Sequence, residues 1–308
     1  DQQTHLELED LPTTWGGYDK FPMRARYLRR QGKPYLAMSG KFHTMWGEFG
    51  GFKHPDAIRY EAASMVAYGA SCSFGDQVHP SGAMDLDTYR NIGVGYGYVR
   101  KIEAYGLGAA PLTNLAMVAG MGPGRAKDAL AHAEGVASML LEAQRDFDVV
   151  EPGDDLSRFQ TVILPGSRFL TTESAAPFSD YVRRGGSLLI LGQSVLDREA
   201  DALLFDIGGE YLGPAQYKED YLALGPTLGK GLVRSPFLNY TAAIRVMATS
   251  GRSLAAIHEP YFDRTYGHYC SHQNTPNRLE PAEHAGALRK GRIVFLAHID
   301  AKEGAPGA

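Results

Sequence analysis

Three stretches of this 308-residue chain set carboxylates where an acid or base could act. Glu7 and Glu9 close an apolar run and precede Asp10-Leu11-Pro12; residues two apart on an extended strand point to one face. Glu48 lies in Gly40-Lys41-Phe42-His43-Thr44-Met45-Trp46-Gly47-Glu48-Phe49-Gly50-Gly51, which also holds His43 and Trp46. Asp76 opens Gly75-Asp76-Gln77-Val78-His79-Pro80, with His79 three residues on. Paired carboxylates cleave glycosidic bonds, with retention at a separation of about 5–5.5 Å and inversion at about 6.5–9.5 Å. An indole offers a flat apolar face to a sugar ring, and imidazole bonds hydroxyls. Of the two tryptophans of the chain, Trp46 falls in the second stretch and Trp15 in the loop that continues the first. The candidate acids are therefore Glu9, Asp76 and Glu48, and the candidate substrate contacts Trp15, His43, Trp46 and His79. Each also has a plainer reading: a surface acid beside an arginine, or an indole capping a core. The recurrence of an acid in three successive stretches favours the chemical reading.

The elements that position them follow from punctuation and periodicity. Strands are expected at 4–8, 34–39 and 70–74, with helices at 21–31 and 55–68 between them. That alternation predicts βαβ units and a parallel sheet. The loops leaving the strands are long and rich in Gly, Trp, His and acids, whereas those entering them are minimal. In a (β/α)8 barrel the active site lies at the C-terminal ends of the strands. Three strands cannot close a barrel and would leave an edge exposed. Residues 1–108 are therefore expected to be the C-terminal strands of a TIM barrel that begins outside this chain. The start at Asp1 rather than Met fits a piece of a longer polypeptide or a removed leader.

A second α/β register spans 109–300, with a loose tail at 301–308. Strands are expected at 114–118, 161–164, 187–191 and 292–298. Helices are expected at 135–144 and 175–184, the latter stopped by Gly185-Gly186. After residue 192, glycine- and proline-rich turns break up the pattern. An open sheet with helices on both faces predicts a flavodoxin-like (class I glutamine amidotransferase-like) domain. The turn Gly192-Gln193-Ser194-Val195 carries neither a Cys nor a Gly-x-Ser-x-Gly motif, which disfavours an amidase or peptidase. His258, His268, Cys270 and His272 lack the usual zinc-ligand spacing, so structural hydrogen bonding is preferred to a metal there. No cofactor is expected.

Apolar residues make up 44% and charged residues 21%, the balance of a soluble globular protein. A net charge of -4 without a basic run argues against nucleic acid or an anionic membrane surface as partner. No stretch approaches the ~18 apolar residues of a membrane span, and Cys72 and Cys270 read as reduced thiols. A cytoplasmic location is the expectation, unless a leader precedes Asp1.

Taken in order, Glu9-Asp10-Leu11-Pro12, Gly17-Tyr18-Asp19-Lys20-Phe21-Pro22, Gly40-Lys41-Phe42-His43 with Trp46-Gly47, and Gly75-Asp76-Gln77-Val78-His79-Pro80 resemble the end of the barrel in one bacterial group. These are the hypothetical glycosyl hydrolase-like proteins grouped with α-L-fucosidases of glycoside hydrolase family 151. Residues 134–150, 162–165 and 178–191 look like the β-galactosidase trimerisation domain of family 42. Glu259-Pro260-Tyr261-Phe262-Asp263-Arg264 and residues 268–273 look like the close of that domain in the fucosidase-type group. The resemblance implies a retaining exo-glycosidase acting on terminal α-L-fucose, and a homo-oligomer, trimer or dimer, built through the second domain. It also implies a nucleophile on an earlier strand, outside this chain. A β-galactosidase-type enzyme and a catalytically silent scaffold for oligomerisation are the alternative readings.

Overall fold

The structure, a computed structural model, describes residues 3–122 and 126–298; the tail expected at 301–308 lies outside the described residues. The chain divides into two compact units, residues 1–112 with 137–149, and residues 113–136 with 150–308.

The first unit runs β1 (Leu6–Glu9), α1 (Pro12–Trp15), α2 (Phe21–Arg29), β2 (Tyr35–Gly40), α3 (Pro55–Ala67), β3 (Ser71–Gly75) and α4 (Leu86–Gly106). Its strands form a parallel sheet in the order β1-β2-β3. Glu9 pairs with Met38, Met38 with Ser73, and Gly40 with Gly75. Alternation sends Leu6, Leu8, Tyr35, Ala37, Cys72 and Phe74 into one cluster with Phe21, Ala25 and Met65 of the helices. Glu7 and Glu9 stand on the opposite face and are exposed. Helix α3 starts at Pro55 behind the His54 cap and buries Ile58, Glu61, Ala62 and Met65, a stripe at helical spacing. Helix α4 was not expected from its glycines. It is capped by Asp85, which accepts from the amides of Asp87 and Thr88. Gly95 lets it approach α3, since a Cβ there would lie 2.9 Å from Ile58.

The remaining elements are β4 (Leu115–Val118), α5 (Ala129–Glu142), β5 (Asp148–Val150), β6 (Thr161–Leu164), α6 (Thr172–Arg183) and β7 (Ser187–Leu191). They continue with β8 (Gly209–Gly213), β9 (Asp220–Leu224), β10 (Phe237–Asn239), β11 (Arg245–Ala248), β12 (Arg252–His258), β13 (Ala285–Lys290) and β14 (Ile293–Leu296). A nine-stranded sheet has the order β10-β9-β12-β13-β14-β7-β6-β4-β5, and β8 pairs with β11 apart from it. Pairing is parallel from β4 through β6 and β7 to β14, then antiparallel through β13, β12, β9 and β10. The expected strands at 161–164 and 187–191 fall on β6 and β7 to the residue. The region after residue 192, expected to lack regular order, instead carries short antiparallel strands. Its glycines serve close backbone approaches: a Cβ on Gly208 would lie 2.2 Å from the Gly251 nitrogen. The chain is thus a mixed α/β protein with a large sheet. Among the described residues no helix is long and apolar enough to cross a membrane.

Candidate active site

The C-terminal ends of β1, β2 and β3 and the loops that leave them bring most of the sequence-identified residues to one rim, in two separate groups. The first lies on the sheet face opposite the helices. Glu9 is exposed there, and the register places it in one row with Met38 and Ser73. Trp46 belongs to the same face. Its ring covers Gly40 and Gly75, where an added Cβ would meet it at 3.1 and 2.4 Å. Phe42, buried at the strand end, supports the indole edge-on at 5.0 Å. An open carboxylate and a half-exposed indole on a glycine floor are what a sugar ring can be stacked and hydrogen-bonded against.

The second group lines a groove of about 290 Å³ between the loop after β2 and the loop after β3. Asp76 and His79 face it with Lys41, Phe49 and Phe52. The His79 ring packs on Phe49 at 5.6 Å and bonds the Ser81 hydroxyl through Nδ1 at 2.7 Å. Glu48 turns back on its own loop, where its Oε1 accepts from the Thr44 amide at 2.5 Å. That backbone hydrogen bond, with others from Met45 and His43, holds its carboxyl below the usual carboxylate range. A carboxylate so engaged ties its own loop together. His43 is exposed and bonds its neighbour Thr44, and Trp15 is exposed at the end of α1; neither lines the groove.

Behind the rim, on the helix side, lies a buried polar cluster that the motifs did not reveal. Glu61 accepts from the Ser39 hydroxyl at 2.5 Å, the Lys53 ammonium at 2.8 Å and the Tyr18 hydroxyl at 3.1 Å. Asp10, next to Glu9 in sequence but on the opposite face, is 3% exposed, and its Oδ2 has no hydrogen-bond partner. Burial pushes its carboxyl up to about 6, against the opposing pull of Arg24 and with help from Glu61. Burial and Glu61 together push the Tyr18 hydroxyl up to about 12. Asp10, Tyr18, Ser39, Glu61 and Ser64 line a cavity of about 20 Å³, room for about one water molecule. The one sequence signal for this cluster was Glu61 itself, an acid in register with the apolar positions 58, 62 and 65 of its helix.

Among the described residues the other unit offers no comparable constellation. Ser194 is fully buried and donates to the carbonyls of Leu164 and Leu191 at 3.1 and 2.8 Å. His258 bonds the Arg278 carbonyl, His268 stacks on Phe262, and the Cys270 thiol donates to the carbonyls of Asn274 and His272. These side chains do not converge. Among the described residues no group of three or more His, Cys, Asp or Glu could hold a metal ion.

No protein-family model and no curated protein matches the chain. Among solved structures it is similar to α-L-fucosidase isoenzyme 2 from Paenibacillus thiaminolyticus, with 36% identity and a TM-score of 0.86. That match covers 96% of this chain and 45% of the fucosidase. The β-galactosidase from Bacillus circulans sp. alkalophilus matches 96% of this chain and 47% of its own at 12% identity, with a TM-score of 0.71. A family 42 β-galactosidase from G. stearothermophilus covers 94% of this chain and 46% of its own at 14% identity, with a TM-score of 0.66. At such identities the β-galactosidases share the fold alone. The chain spans about half the length of each of these enzymes. Over nearly all of its own length, the chain resembles α-L-fucosidase-type glycosidases, as the rim motifs implied.

Proposed function

We propose that this chain is part of a retaining exo-glycosidase of the α-L-fucosidase type, cleaving terminal α-L-fucose from oligosaccharides or glycoconjugates. In this reading the first unit is the C-terminal end of a TIM barrel, whose remaining strands carry the nucleophile. The second unit is a flavodoxin-like, trimerisation-type domain through which copies assemble. Glu9 acts as general acid–base, with Asp76 and Glu48 in support, the latter held by its own loop. Trp46, Trp15, His43 and His79 contact the sugar. The observation that carries the reading is the 36% identity to an α-L-fucosidase over 96% of the chain.

The test is hydrolysis of p-nitrophenyl α-L-fucoside by the polypeptide that carries this chain, with the β-galactoside as competitor substrate. Cleavage of the fucoside with net retention, read from the first-formed anomer by proton NMR, is the expected result. Preferential cleavage of the β-galactoside would replace fucose by galactose, and cleavage of neither would leave a scaffold role. Glu9→Gln is expected to lower kcat by about 10²–10⁴-fold, the span of general acid–base catalysis. Full activity in that variant would remove Glu9 from the mechanism.

A further inference from the structure

We propose that Glu61 is the positioning residue of this rim: one buried carboxylate on α3 that fixes the loops after β1 and β2, and with them Trp15 and Trp46. The proposal rests on the glycosidase reading for its catalytic consequence, though not for its structural one. Glu61 is 4% exposed. Its three donors come from three different segments: Tyr18 from the loop after α1, Ser39 from the end of β2, and Lys53 from the last residue of the loop 41–53. The Lys53 side chain is fully buried and donates also to the Ser39 hydroxyl at 2.8 Å. Its amide donates to the Lys41 carbonyl at 2.9 Å, and its own carbonyl accepts from Asn91 of α4 at 3.0 Å. Both ends of the loop that carries His43, Trp46 and Glu48 are thereby pinned to the same carboxylate. Lys41 braces the interior of that loop, donating to the carbonyls of Glu48 and Gly51 at 3.1 and 3.3 Å.

Stability alone does not account for this arrangement. Replacing a buried ion pair with well-packed apolar groups is often neutral or stabilising. A fully bonded carboxylate instead adds direction, because three donors on separate segments must meet at one point with fixed lengths. A catalytic rim needs that accuracy, since a misplacement of about 1 Å can cost about 10²-fold in rate.

Glu61→Gln alone would leave the Lys53 ammonium buried without its counter-charge. The informative variant is therefore the pair Lys53→Met with Glu61→Leu, beside Tyr18→Phe, which removes one tie and no charge. Acrylamide quenching is read on this chain, where Trp15 and Trp46 are the two tryptophans, and kcat/KM on the polypeptide that carries it. The double variant is expected to melt no lower than wild type, yet to show stronger quenching and a kcat/KM lower by about 10²-fold. Tyr18→Phe is expected to lose about tenfold in kcat/KM and to raise quenching less. Wild-type quenching and wild-type kcat/KM in the double variant would overturn the proposal. Should the double variant not fold, Tyr18→Phe decides: unchanged quenching overturns the proposal and increased quenching supports it. A wild-type polypeptide that cleaves no glycoside would sink the glycosidase reading, and the quenching would still decide for or against Glu61.

Discussion

Trp46 lies across Gly75 so closely that a Cβ on that glycine would sit 2.4 Å from the indole ring. Gly75 has an ordinary backbone conformation, being absent from the positive-φ glycines, so the smallness of its side chain is what the site uses. Gly75→Ala must therefore push the indole off the sheet rather than strain the strand. The expected cost is about 1–3 kcal/mol, as for other overpacked positions, together with a red-shifted tryptophan emission. In the proposed enzyme KM for the fucoside should rise while the pH profile stays fixed. An unshifted emission would mean that the ring does not rest on this floor.

Asp10 links stability to pH in an unusual direction. Burial raises its carboxyl from the ordinary 3.8 to about 6, so the folded state holds a proton that the unfolded chain has lost. Between about pH 4 and pH 6 the unfolded state binds fewer protons, and stability falls as pH rises through that window. The contribution is complete below about pH 4 and gone above about pH 6. Asp10→Asn should abolish this slope and stabilise the fold at pH 7 by about 2–3 kcal/mol, from about two pKa units at 1.36 kcal/mol each. Urea midpoints of the two proteins across pH 4–8 measure it; parallel curves would show that Asp10 is not buried as a charge.

Much of this architecture could be read in the sequence because its punctuation is local. Pro55 and the Gly185-Gly186 stop mark helix ends, and the unbroken apolar runs of β6 and β7 mark buried parallel strands. Helix α4 escaped because Gly93, Gly95 and Gly97 each argue against a helix by about 1 kcal/mol; the contact with Ile58 explains Gly95, while nothing in the structure explains Gly93 and Gly97. Glu9 and Asp76 were legible as acids at strand ends. Glu61 was legible only as an acid among apolar helical positions, because its purpose shows once its donors are known, and these come from as far as 43 positions away. Asp10 differs from Glu9 by one residue and therefore by one face, a distinction that strand register settles and composition cannot.

His284 gives the opposite pH slope. It is buried just before β13, and burial holds its imidazole below the ordinary 6.5, with Arg245 adding to the depression and Glu259, Asp220 and Glu283 opposing it. The folded state therefore excludes a proton that the unfolded chain accepts. Stability is complete above the ordinary imidazole value and declines as pH falls below it. His284→Gln should flatten the acid limb of the unfolding curve of the second unit. A variant as acid-labile as wild type would show that His284 is not the source of that limb.

Ser194 marks where an α/β hydrolase would place its nucleophile, in the turn after an apolar parallel strand. A nucleophilic hydroxyl must reach solvent and donate to a base. Here the hydroxyl is fully buried and its proton is shared between the carbonyls of Leu164 and Leu191, so it ties the ends of β6 and β7 together. Ser194→Ala should lower stability by about 1 kcal/mol, the net worth of a buried hydrogen bond. In the proposed enzyme glycoside hydrolysis should be unaffected. The decisive comparison is amide hydrolysis, assayed with glutamine and with a peptide anilide for wild type and variant alike. Both proteins are expected to be inert towards both compounds. Turnover by wild type that vanishes with Ser194→Ala would restore the amidotransferase-like hydrolytic reading and require the strand-end turn to open.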